Sequence, residues 1–231
     1  MALSRKIAFV DLTTGEIRTE TIPGELRKKY IGGRGLDIYL LHRNTEKGVD
    51  PLGPGNAAII SAGLLTGTLA SASARTHVAA KSPLTGYVGS ANIGGFFGPE
   101  MRLAGFDHLV ITGRAEKPVY LYLTNTKIEI REAEHLWGTD TRTVQQMIVD
   151  ELEDEDVKTL CIGQAGENLV KYACIRTSIK NSAGRTGIGA VWGSKNLKAV
   201  AVKGTMDIKL HDPVRALEYN KEIIDQVTSA K

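Results

Sequence analysis

A chain of 231 residues with 42% apolar and 24% charged side chains can bury roughly 70–75% of its unfolded surface without disulfides, which excludes intrinsic disorder and a small cystine-stapled scaffold. Its 29 basic and 26 acidic residues leave a formal charge of +3 and are interspersed, with no Lys/Arg block of the kind that tracks a nucleic-acid backbone, so no nucleic-acid partner is expected. Cys161 and Cys174 are too few for a four-thiolate cluster and read as small buried apolar residues; with no bilayer-length apolar run and no signal-like start, neither membrane insertion nor export is expected, and a reducing cytoplasmic setting is.

Lys6–Leu12 and Glu16–Ile22 alternate in the strand manner around Thr13-Thr14-Gly15 and predict an opening β-hairpin. Pro23 to Tyr30 suits a short helix, and Gly32-Gly-Arg-Gly35 leads into a second whose apolar residues at 36, 39 and 40 share a face. Arg34 sits near the start of that second helix, a place that can help hold an anion. After the loop residues 50–56, Ala57–Ala62 reads as a buried strand, and Thr76–Lys81 and Gly86–Gly89 as two more, with Pro83 in the turn between them. His77, next to a strand end, can serve as a base or ligand but is expected to be packed or solvated.

Pro99–Gly105 is a helix by its early Pro and terminal Gly, 108–112 a strand, and 119–124 with 127–132 a second hairpin around Asn125-Thr126. Thr139–Glu153 is the best helix, capped by Thr139 or Asp140, with Val144, Met147, Ile148 and Leu152 on one face and a solvated acidic exit at 151–156. Strands are expected at 159–163, 171–176 and 195–203, and an amphipathic helix begins at Asp212-Pro213. The expected class is α+β: a β-rich domain of two similar sheet-containing lobes with short flanking helices over 1–208, then the start of a truncated helical domain over 209–231.

The stretch from Arg75 to Gly98 carries the chemistry of an anion cradle. Cationic side chains bracket 75–81, and Asn92-Ile-Gly-Gly95 lets peptide N–H groups approach a ligand. The pattern returns about ninety positions later. Ser90-Ala-x-x-x-Gly95-x-x-Gly98 is matched by Ser182-Ala-x-x-x-Gly187-x-Gly189, with Arg185 as the basic group, and a short apolar strand follows each. Two such loops, one from each lobe, can grip a bis-phosphorylated ligand, because each charge-assisted bond returns about 1.5–3 kcal/mol.

Four blocks in order identify a resemblance: Gly-Gly-Arg-Gly-Leu at 32–36; Lys-Ser-Pro-Leu-Thr-Gly at 81–86 with Asn92-Ile-Gly-Gly behind it; Gly163-Gln-Ala-Gly-Glu167; and Ala183-Gly-Arg-Thr-Gly-Ile-Gly-Ala-Val-Trp-Gly-Ser-Lys195. Together they resemble the amino-terminal domain of the aldehyde:ferredoxin oxidoreductase family, over about Lys6 to Gly204. The resemblance implies a tungsten or molybdenum centre held by the dithiolenes of two pterins that lie on this domain. It also implies oxidation of aldehydes to carboxylic acids, or work on other carbonyl compounds and acyl-thioesters, with electrons passed through a [4Fe–4S] cluster to ferredoxin. Carried over by motif, Arg75, Asn92 and Gly94 fall on pterin-contacting positions of the first loop, and Ser182, Gly184 and Arg185 on those of the second. The backbone carbonyls of Asn92 and Ser182 fall where the family binds a Mg2+ between the pterin phosphates.

Two positions depart from the family pattern, which often has Arg where Asn181 stands and Ala where Ser182 stands; Asn181 is kept as a cofactor position although it brings no charge. The cluster cysteines and the acid/base residues belong to helical domains outside this chain, so no catalytic residue is assigned in it. The partners expected are those domains or a partner subunit, and ferredoxin; self-association as a homo-oligomer is left open. Two other readings stand beside this one, a nucleotide- or phosphate-binding module and a non-catalytic assembly subunit. The first lacks both a Gly-x-Gly-x-x-Gly after a strand and a Walker-type Gly-x4-Gly-Lys-Ser/Thr.

Overall fold

The structure, a computed structural model, describes residues 6–230. The opening hairpin forms as expected, with β1 (Lys6–Asp11) against β2 (Ile17–Thr21). Four further strands complete the first sheet: β3 (Ala58–Ala62), β4 (Thr76–Lys81), β5 (Val88–Ile93) and β6 (His108–Thr112), in the order β2-β1-β6-β3-β4-β5. The second sheet contains β7 (Val119–Thr124), β8 (Lys127–Glu132), β9 (Lys158–Cys161), β10 (Ile175–Thr177), β11 (Asn181–Ala183) and β12 (Leu197–Val202), in the order β11-β10-β9-β12-β7-β8.

The two sheets are topological copies. Each opens with an antiparallel hairpin whose first strand pairs in parallel with the last strand of its lobe, β1 with β6 and β7 with β12. Each then runs antiparallel to an edge, through β6-β3-β4-β5 in one and β12-β9-β10-β11 in the other. The repeat legible in the loops is therefore a repeat of the whole lobe, and β5 and β11 are its equivalent edge strands.

Three apolar clusters account for the layering. Ala8, Val10, Ile60 and Val78 of the first sheet share a core with Leu121, Leu160, Val200 and Val202 of the second. Two short helices, α3 (Phe97–Leu103) and α6 (Ile188–Ser194), touch strands of both sheets and fill the space between them with Phe97, Met101, Val191 and Trp192. The outer face of the first sheet is covered by α2 (Arg34–Asn44) through Leu36, Leu40 and Leu41, with Leu26 and Tyr30 of α1 (Gly24–Tyr30) packed against the same cluster. The outer face of the second is covered by α4 (Thr141–Leu152), whose Val144 and Ile148 are buried as its period predicts and whose first turn is capped by Asp140.

Several local expectations change. Asn92 lies inside β5, opposite His77, and not in a free loop; the strand begins at Val88 and the loop only at Gly94. Asn181–Ala183 is likewise a strand, while residues 171–174 are not, so the run expected as one strand is a short hairpin, β10-β11, displaced toward its C-terminal side. Gln164–Glu167 forms a helical turn, α5, and the Gly-rich run after Gly187 is the buried helix α6. Both helices use glycine for contact: a Cβ on Gly189 would come within 2.6 Å of the Cys174 carbonyl oxygen, and one on Gly166 within 2.9 Å of that of Gly189. Cys161 is buried as expected and its thiol is pushed up to about 12 by that burial, whereas Cys174 is half-buried. The helix predicted from Asp212 is α7 (Pro213–Ser229), with Asp212 Oδ1 accepting from Arg215 N at 2.9 Å; none of its residues is buried. No helix of the described residues is long and apolar enough to cross a membrane.

Candidate cofactor site at the two edge strands

The equivalent edge strands β5 and β11 lie against each other, which brings the two lobes' loops to one place. Arg75 immediately precedes β4, at the strand end where it was expected, and is exposed. Gly94 follows β5, and a Cβ added there would lie 3.7 Å from Arg75 Nη1 and 3.7 Å from Asn181 Oδ1. Gly95, at φ +106°, is also next to Asn181, with Nδ2 3.2 Å from where its Cβ would stand. One cationic group, one carboxamide and a side-chain-free stretch of backbone from opposite lobes thus converge.

Asn92 and Ser182 are both exposed, each in its edge strand, opposite His77 and Arg176 respectively. Gly184 and Arg185 form the exposed turn between β11 and α6. That turn is fastened to the first lobe one residue later, where buried Ser82 Oγ donates to the Thr186 carbonyl at 2.7 Å. Ser82 Oγ also accepts from Leu84 N and Thr85 N, so the Lys81–Gly86 block is the turn that pins the lobes together. Lys81 itself is tied to the Val49 carbonyl at 2.5 Å. Among the described residues, neither Arg75 nor Arg185 is paired with a carboxylate.

On the other side of Asn181 and Gly95 is a cavity of about 400 Å³ bordered by Arg142, Gln145, Lys158 and Thr177. Nothing in the sequence pointed to it, because its wall is assembled from α4, β9 and β10, which meet only in the fold.

His77 is packed, as expected, but in a specific way. Asp37, fully buried on the first turn of α2, accepts from Ser61 Oγ at 2.5 Å, from His77 Nδ1 at 2.5 Å and from His108 Nδ1 at 2.7 Å. His77 Nε2 is 2.8 Å from Ser90 Oγ on β5. Burial by itself would raise the Asp37 carboxyl, but the electrostatics and hydrogen bonds of His108 and then His77 hold it below its ordinary value. Sequence reasoning missed Asp37 because it sits among the polar positions of an apparently amphipathic helix; the only signal was a carboxylate close behind leucines that had to face a sheet.

Residues 7–204 match the family model described as the aldehyde ferredoxin oxidoreductase N-terminal domain. The chain belongs to that family. It is 47% identical over 218 residues to a tungsten-containing aldehyde ferredoxin oxidoreductase of Pyrococcus furiosus, covering 94% of this chain, and 44% identical to the Thermococcus kodakarensis enzyme of the same name. It is also 36% identical over 248 residues to a WOR-like subunit of an aliphatic sulfonate oxidoreductase of P. furiosus. Among solved structures, the active site complex BamBC of benzoyl coenzyme A reductase with 1,5 dienoyl-CoA matches at a TM-score of 0.96 and 37% identity over 99% of this chain and 35% of that one. The chain spans 36% of the length of the first two relatives, so it corresponds to the N-terminal part of aldehyde ferredoxin oxidoreductases.

The residues present fit a phosphorylated organic cofactor in two respects. Arg75 and Arg185 carry charge that no carboxylate among the described residues neutralises, and the Gly94 backbone is approachable beside Arg75. Among the described residues no cluster of three His, Cys, Asp or Glu is placed to hold a metal ion.

Proposed function

We propose that this chain is the pterin-cofactor-binding domain of a tungsten- or molybdenum-dependent oxidoreductase that converts aldehydes to carboxylates. The observation that carries the reading is the convergence of Arg75, Gly94 and Asn181 where the edge strands of the duplicated lobes meet. The bound group supplies the two-electron redox chemistry at its metal; the chain supplies binding and orientation.

Arg75 on one lobe and Arg185 on the other neutralise phosphate charge, and Gly94 and Gly184 keep the backbone within reach of phosphate oxygens. The backbone carbonyls of Asn92 and Ser182 would serve as hard oxygen ligands for a Mg2+, a role that needs no particular side chain. Asn181 contributes an amide in place of a charge. It can donate to an anion but adds no Coulomb attraction, so the second lobe grips less firmly than one with Arg at that position. In this reading the [4Fe–4S] ligands and the acid/base groups lie outside these residues, the electron acceptor is ferredoxin, and the setting is cytoplasmic.

Metal analysis of the chain joined to its downstream domains tests this. Stoichiometric W or Mo with pterin fluorescence is the expected result; a folded, stoichiometric protein with neither overturns it. Arg75→Ala and Arg185→Ala, made separately, should each lower cofactor retention, and Arg75→Ala the more, because Arg75 lies beside Gly94 and Asn181 where the edge strands meet.

A further inference from the structure

A polar row crosses the first sheet beneath α2. Ser61 is directly opposite His108 on one side and His77 on the other, and His77 is in turn opposite Asn92. Cross-strand partners project from the same face, so the row runs from the sheet's centre to its edge on the face that Asp37 covers. It stands in otherwise apolar surroundings of Ile7, Ile59, Ala79 and Val110.

A carboxylate only accepts, so His77 Nδ1 donates to Asp37, and on its other side His77 Nε2 is hydrogen-bonded to the Ser90 hydroxyl. Ser90 is half-buried, two residues before Asn92 in the same strand. In the sheet β5 pairs with β4 alone; β11 lies beside it without a hydrogen-bonded ladder. The side-chain bond from Ser90 is therefore a second attachment of the strand that ends at the site. Apolar residues would hold α2 on the sheet without a buried carboxylate to desolvate, so stability alone does not account for the network.

We propose that Asp37, His77 and Ser90 are positioning residues for the phosphorylated cofactor. The chain Ser90–His77–Asp37 clamps β5 to the interior and sets where the Asn92 carbonyl and the Gly94 backbone meet the ligand. This inference rests on the function proposed above. His108 provides the internal control: it bonds the same carboxylate, but from β6, which β3 and β4 separate from β5 in the sheet order, and among the described residues its Nε2 has no partner.

The test uses the complete holoenzyme as wild type, Ser90→Ala, His77→Gln and His108→Gln. It measures the rate of metal and pterin release under a chelator, the electron paramagnetic resonance spectrum of the metal, and the thermal midpoint. Losing one bond of this kind should speed release roughly 3- to 10-fold in Ser90→Ala and His77→Gln and shift the spectrum. His108→Gln should lower the midpoint while leaving release and spectrum as in wild type. Wild-type release and spectrum in Ser90→Ala, or equally fast release from His108→Gln, would overturn the inference. Should His77→Gln fail to fold, Ser90→Ala decides the matter alone. A wild type that holds neither metal nor pterin instead removes the proposed function, and this inference with it.

Discussion

In the first lobe the buried Asp37 carboxylate meets two imidazoles and a hydroxyl; in the second the buried Lys198 ammonium meets the Glu167 carboxylate and the Thr139 carbonyl. Strand order and sense are the same in both. The charged clusters differ in reach. That of the first lobe extends through His77 to the edge strand, whereas that of the second stays at β12, α5 and the turn before α4. The second lobe's edge is held by loop bonds instead, Arg176 to the Ile179 carbonyl and Ser178 N to Gln145 Oε1 at 2.7 Å. Its strands β10 and β11 are three residues each against six for β4 and β5. Duplicated topology thus leaves each copy free to settle its own buried charge, and only the first copy connects that charge to the site.

The largest effect is expected where a charge is left alone. Glu167→Gln strands Lys198, whose side chain is 0% exposed, and should cost about 3–5 kcal/mol by denaturant unfolding. Glu167→Gln with Lys198→Met should recover much of that loss; no recovery would mean that the pair is not the reason for the damage.

Asp37→Asn should cost about 1–3 kcal/mol, because two imidazoles and Ser61 lose their charged acceptor. It also changes the acid limb of the stability profile. The folded carboxyl lies below its ordinary 3.8, so as the pH falls the unfolded chain takes up the proton first. The contribution is therefore complete above the ordinary carboxylate range and is lost as pH drops through the folded value. Unfolding followed from neutral pH into acid should be less pH-dependent in the variant.

Lys195 tests the seam between the lobes. Its ammonium donates to the Pro54 carbonyl at 3.0 Å and the Gly113 carbonyl at 2.9 Å, both in first-lobe loops, and burial pushes its pKa down from 10.5 to about 8. Between those values the folded protein has released a proton that the unfolded chain still holds, so this group makes stability rise with pH there. Lys195→Met should remove that rise and cost about 1–2 kcal/mol at neutral pH through the two abandoned carbonyls.

The smallest effect on folding belongs to Gly94→Ala. The added Cβ would meet Arg75 and Asn181 at 3.7 Å, an ordinary contact, so stability should change by no more than about 0.5 kcal/mol while cofactor retention falls. An unchanged retention would show that the ligand does not approach this backbone.

Much of this was legible because its causes are local. The hairpins at 6–21 and 119–132, the Asp140-capped α4 and the apolar face of α2 follow from period and turn chemistry, which act within a few residues. The repeated Ser-Ala and glycine pattern gave away the duplication, whereas Arg75, Gly94 and Asn181 were singled out as cofactor positions through the family resemblance. The pattern also led to the expectation that the two loops share one ligand; what it did not show is that two edge strands, β5 and β11, far apart in sequence, bring them together. β10 and β11 are too short for alternation to declare them, and α6 was hidden by glycines that serve close packing with Ala173 and Cys174 and not chain reversal. Asp37, His77 and His108 looked unrelated because they lie 40 and 71 positions apart along the chain.

The buried glycine at position 89 sets a dimension of the molecule from a distance. A methyl group there would press on the Thr186 hydroxyl at 2.9 Å and on the Ala80 carbonyl at 3.0 Å, at the point where the Arg185 turn leans on β5. Its missing side chain works as a shim of zero thickness: any thicker spacer would force Thr186 or the paired strand β4 to give way where the Arg185 turn rests on the first sheet.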